Sequence, residues 1–117
     1  MSAFGSFIVF IVALLHVYFL VLEMFLWDKP IGLKAFNQTK EQATASKVLA
    51  ANQGLYNGFL AAGLFWGLSL GASGLAIKIF FLCCVVIAGL YGAVTASRKI
   101  LFVQAIPAAI GLILVIL

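Results

Sequence analysis

The chain has 117 residues, of which 66% are hydrophobic and only 9% charged, with a formal net charge of +4. Its mean hydropathy of +1.26 lies far outside the soluble globular range, which excludes a soluble enzyme and indicates an integral membrane protein. With one connector of any length, the expectation is a single four-span transmembrane domain over residues 1–117, with no soluble domain beside it.

In chain order, four apolar segments are long enough for a hydrocarbon core of ~30 Å, which takes roughly 17–25 helical residues. They are about Phe4–Trp27, Val48–Leu70, Leu75–Ala96 and Ile100–Leu117. Their apolar runs are continuous rather than alternating, which argues against a β-barrel. The expected fold class is all-α, an integral membrane four-helix bundle.

The first segment is preceded by no Lys or Arg and exceeds the apolar stretch of a secretory signal, so it is read as helix one. Asp28-Lys29-Pro30 ends it, because proline lacks an amide hydrogen and restricts the residue before it. Ile31–Phe36 mixes apolar residues with Lys34 and suits the membrane interface. Thr39-Lys40-Glu41-Gln42 then matches a capping box. Helix two is expected to start in water near Lys40 and to run about 30 residues, ~45 Å, to Leu70.

Small residues give the expected contacts. Gly54 and Gly58 form one G-x-x-x-G, and Gly63, Gly67 and Gly71 a second ridge roughly opposite in azimuth, so helix two can be approached on two sides. In helix three, Ala88, Gly92 and Ala96 repeat the four-residue step. Pro107 removes the backbone bond to the Val103 carbonyl in helix four and predicts a kink beside Gln104. Cys83 and Cys84 are adjacent and mid-span, which suits packing rather than a disulfide or a metal site.

Charge orients the chain. Lys29, Lys34, Lys40 and Lys47 lie in the first connector and Arg98 and Lys99 in the third, six cations against the single Lys78 opposite. By the positive-inside bias, connectors one and three face the cytoplasm, both termini lie outside, and helix two extends into the cytoplasm. Basic residues are not interleaved with aromatics, so no nucleic-acid partner is expected.

The polar residues gather by depth. Glu23 lies about one turn inside the cytoplasmic end of helix one, and His16, seven residues earlier, shares its face near the midplane. Asn52, Gln53, Tyr56 and Asn57 spread over about 140° of helix two. Tyr91 and Thr95 belong to helix three, and Gln104 to helix four. Each amide or hydroxyl alone reads as interhelical glue. A carboxyl group inside a span is costly and marks function more often. Seven residues, Glu23, Asn52, Gln53, Asn57, Tyr91, Gln104 and His16, therefore form the candidate ligand-binding set, with no catalytic or metal role assigned.

The string N-Q-G-L-Y-N-G-F-L-A-A-G-L at Asn52–Leu64, with L-E-M-F-L-W at Leu22–Trp27 and Y-G-A at Tyr91–Ala93, resembles a family of short bacterial membrane proteins known only as a domain of unknown function. The resemblance covers nearly the whole chain, and its helix-two string is fairly specific. It implies a multi-pass protein of the bacterial inner membrane with four helices, and it carries no activity.

Two further classes are similar in layout. Small multidrug transporters share the length, the four helices and a glutamate in helix one, but here Glu23 lies near one membrane face and the charge bias is strong. The membrane-associated glutathione and eicosanoid enzymes share a large first connector and polar helix-two residues, but their arginine-rich helix two is absent. The favoured reading is a pocket open to the cytoplasmic leaflet that binds or transports a small amphiphilic or lipid-like molecule. Apolar walls would hold its body and the amides its polar end. A small membrane enzyme is the alternative and a structural assembly subunit the third reading. The expected partners are membrane lipid and the amphiphile, with a homo-oligomer as a further arrangement, and no cofactor is expected.

Overall fold

A computed structural model describes residues 2–117. Among them there is no strand. Five α-helices follow in chain order: α1 (Ala3–Met24), α2 (Pro30–Ala35), α3 (Lys40–Ser69), α4 (Leu75–Thr95) and α5 (Ile106–Ile116). A 3-10 turn over Gly71–Gly74 precedes α4, and a π-helical turn over Leu101–Ala105 precedes α5. Two segments are long and apolar enough to cross a membrane, Ala3–Met24 and Gly71–Thr95; Leu101–Ile116 is apolar but shorter. Helix α3 is the longest, and the polar residues between Asn52 and Asn57 keep it out of that class.

The chain divides into two compact units, one made of residues up to Leu14 together with Leu60–Leu117, the other of Leu15–Phe59. Each has its own packing logic. In the first, Val9, Val12, Ala13, Leu64, Leu82, Val85, Ala108 and Val115 are buried as one apolar cluster. Glycines set its close approaches. A Cβ on Gly63 would run into the Phe81 ring, and one on Gly67 would meet Lys78 Cγ at 2.7 Å. A Cβ on Gly89 would meet the Ala105 backbone nitrogen at 2.7 Å, so α4 can pass the π turn only because that position has no side chain.

In the second unit α1 ends at Met24, three residues earlier than expected. The chain turns at once because Gly32 of α2 lies against the Leu26 and Trp27 carbonyls, where no Cβ would fit. Pro30 stands at the start of α2, where its missing N–H costs nothing. Asn37 ends α2 at φ 49, a left-handed conformation that asparagine tolerates. Gln38 N–H donates to the Leu33 carbonyl at 3.1 Å and Asn37 N–H to that of Lys34 at 3.4 Å, the paired bonds of a Schellman end. Thr39 then caps α3: its Oγ1 accepts from Gln42 N–H at 3.1 Å, and Gln42 Oε1 accepts from Thr39 N–H at 2.9 Å. The capping box is formed in both directions.

Three packing expectations change. Gly71 is not part of a ridge: it lies beyond α3 at φ 60 with open space around its missing side chain, as the left-handed residue that closes the helix. Ala88 and Ala96 are exposed, and the close-packed position of α4 is Gly89. The break at Pro107 takes the form of a π turn, a known response when a backbone bond is removed inside a helix.

Candidate functional site

The site begins with two glycines. A Cβ on Gly54 would meet Met24 Cγ at 2.7 Å, Glu23 Cβ at 3.0 Å and the Leu20 carbonyl oxygen at 3.2 Å, and one on Gly58 would meet Leu20 Cδ1 at 2.6 Å. This G-x-x-x-G is the seat on which the last turns of α1 lie. It brings the stem of Glu23 against the α3 backbone, and Gln53 and Asn57 flank the seat four residues apart.

Glu23 is buried, 3% exposed. Gln53 Nε2 donates to its Oε2 at 2.8 Å, and Asn57 Nδ2 donates to its Oε1. Each carboxyl oxygen therefore has one amide donor from α3. The arrangement follows from helix chemistry: a helix side wall has already spent its own N–H groups on the ladder, so only side chains can offer donors there. Asn57 is itself buried while Gln53 is exposed, so the cradle has an inner and an outer donor.

The seven sequence candidates separate. Glu23, Gln53 and Asn57 are joined by hydrogen bonds. Asn52 turns back on its own helix, donating from Nδ2 to the Val48 carbonyl at 2.9 Å, and is exposed. His16 is fully buried, with its ring edge-on to Phe19 at 5.3 Å between centroids; along α1 it stands about 10.5 Å from Glu23. Tyr91 and Gln104 belong to the other unit, where Tyr91 is exposed on α4 and Gln104 is half-buried on the π turn. Among the described residues no group of three or more His, Cys, Asp or Glu side chains could hold a metal ion.

The connector after α1 forms a hydrogen-bonded rim beside the cradle. Lys47 Nζ donates to Asp28 Oδ2 at 3.0 Å and Lys40 Nζ to the Asp28 main-chain carbonyl at 3.1 Å. The hydrogen bond from Lys47 holds the Asp28 carboxyl below the usual carboxylate range. Trp27 Nε1 donates to Ser46 Oγ at 3.1 Å, and the Trp27 ring packs on Phe36 at 4.7 Å. None of these pairings was legible beforehand, since each joins residues 9 to 19 apart across a turn whose path depends on Gly32.

Lys78 is the other residue that sequence reading underrated. Counted there as a boundary charge, it is 1% exposed, and its Nζ donates to the Gly71 carbonyl at 3.1 Å. A signal existed in the seven-residue interval between a helix-closing glycine and a lysine long enough to reach back.

The model of the family described as "Protein of unknown function (DUF1304)" matches residues 10–116. The chain belongs to the DUF1304 family. Among its relatives, the "Uncharacterized protein YpaA" of Lactococcus lactis subsp. lactis (strain IL1403) is 33% identical over 105 residues, covering 88% of each chain. No solved structure gives a significant match. The match to the DUF1304 family takes in every residue of the Glu23 cradle.

Proposed function

We propose that this DUF1304 chain is a multi-pass bacterial inner-membrane protein, a single four-span domain with both termini outside. In this reading it binds or transports a small amphiphilic or lipid-like molecule at the cytoplasmic end of α1 and α3. The observation that carries the reading is Glu23: a buried carboxyl group in a predominantly apolar 22-residue helix, with one amide donor on each oxygen. Ionisable groups at such depth are costly and mark ligand or ion sites more often than packing. The lysine distribution supports the orientation.

Two variants test it. Glu23→Gln and Asn57→Leu are to be purified from native membranes, with co-purifying lipid measured by mass spectrometry and stability by thermal melting in detergent. A binding site predicts loss of ligand at little change in folding for Glu23→Gln. Unchanged ligand occupancy in well-folded Glu23→Gln protein would sink the reading, and a lowered melting temperature alone for Asn57→Leu would make the cradle interhelical glue. Single cysteines at Ser2 and Thr39, in a background without Cys83 and Cys84, should label from opposite sides of intact cells. Labelling of Thr39→Cys by an impermeant outside reagent would overturn the orientation.

A further inference from the structure

Next to the cradle, within the same compact unit, an open groove of about 380 Å³ is lined by Met24, Lys47, Val48, Ala51, Asn52 and Leu55. Five of the six lie on α3 at the spacing of one helix stripe, so the groove follows that helix for about 12 Å. Its chemistry is graded. An ammonium group stands at one end, an amide in the middle, and alkyl side chains line the rest. Val48, beside the lysine, is 75% exposed.

The charged end carries more cation than anion. Lys47 and Lys40 both donate to Asp28, one to its carboxylate and one to its main-chain carbonyl, so two ammonium groups meet at a residue that brings a single carboxylate, and only Lys47 is paired with it. A phosphate brought to this rim can take over part of what Asp28 supplies, because an ammonium group has three donors and no fixed fork. Asn52 has placed one N–H on the Val48 carbonyl, which leaves its other N–H and its carbonyl oxygen for a ligand.

We propose that the groove seats one acyl chain of an anionic glycerophospholipid, with the phosphate at Lys47 and Lys40, the glycerol or ester oxygens at Asn52, and the first methylenes along Val48, Ala51, Leu55 and Met24. The order of polarity along the stripe matches that of such a lipid from headgroup to tail. A second copy of the chain fits less well, because a two-fold contact on this face would bring Lys47 toward its own counterpart. The inference rests on the membrane reading above but concerns residues other than the Glu23 cradle.

The full chain in detergent is titrated with phosphatidylglycerol or with phosphatidylcholine of the same acyl chains, and bound lipid is counted by native mass spectrometry. Phosphatidylglycerol should bind preferentially. Lys47→Gln should weaken it about tenfold, as loss of a charge-assisted hydrogen bond does, while Lys47→Arg retains it. Asp28→Asn should strengthen binding by freeing Lys47, the opposite of what a merely structural ion pair would do. Equal affinity for the two lipids, weakening by Asp28→Asn, or a dimer that Val48→Trp abolishes would each overturn the proposal. A chain that alkaline carbonate strips from membranes would sink the membrane reading itself, whereas a membrane-retained chain without lipid preference sinks only the groove.

Discussion

Glu23 on α1 and Lys78 on α4 are both buried and both lie against a glycine of α3, Gly54 in one case and Gly67 in the other. Their end groups are satisfied by different parts of the chain. The carboxyl group needs donors, and the side of a helix offers none from its backbone, so two side-chain amides are required. The ammonium group needs acceptors, and a helix end leaves carbonyls unpaired, so a main-chain oxygen can serve as one of them. This difference accounts for the amides at Gln53 and Asn57. A buried acid on the side of a helix draws its donors from a neighbour's side chains; a buried base near a helix end has main-chain oxygens within reach.

The comparison breaks most sharply at the glycines. Gly67→Leu must displace the Lys78 stem and then its backbone nitrogen, 3.2 Å from the new Cβ, and is expected to cost about 3 kcal/mol or more by overpacking. Under the membrane reading proposed above, Leu64→Ala, which only vacates space in a fully buried position, should lower the melting temperature less, since apolar burial is worth little against lipid. Equal tolerance of both changes would mean that the Gly67 face makes no close helix contact.

Next in size is the lysine. Lys78→Met keeps the stem over Gly67 and removes the hydrogen bond to Gly71, for an expected loss of about 1.5–3 kcal/mol, and Lys78→Ala should lose more by emptying the stem's place. If the two variants melt together, the ammonium group rather than the stem is what the site uses.

The acidic side is expected to respond more gently, because its two donors differ in burial. Asn57→Ala should cost about 1 kcal/mol, the usual net value of a hydrogen bond, and Gln53→Ala less than about 0.5 kcal/mol, as for exposed positions. A larger effect at Gln53 would mean that the outer donor carries the carboxyl group.

The smallest effect belongs to the Asp28–Lys47 pair, an exposed ion pair of the kind that contributes little. Because the folded carboxyl lies below its unfolded value, near 3.9, the contribution is present above about pH 4 and fades as pH falls through the depressed folded value. A slight drop in melting temperature confined to that acidic range, and absent in Asp28→Asn, is the expected outcome.

Several features were legible in the residues themselves because they depend on neighbours in sequence. The Thr39–Gln42 capping box, the entry of α2 at Pro30 and the 30-residue length of α3 are local, set by caps, proline and propensity within a turn or two. The glycine spacing announced two approach faces on α3, and a lone carboxyl in α1 fell at the depth of the amides on α3.

What residue spacing left open was which partners meet. Four polar residues on α3 offered themselves to Glu23, and only the seating of Leu20, Glu23 and Met24 on Gly54 and Gly58 selects Gln53 and Asn57 and leaves Asn52 to its own backbone and to the groove. Lys78 looked like a boundary charge, since its burial requires the reversal at Gly71 to bring a carbonyl within reach of Nζ. Helical periodicity defines faces, but an azimuth becomes a contact only when two backbones close to a definite distance. That distance is decided by the packing of the whole unit, through positions where a single Cβ would forbid it.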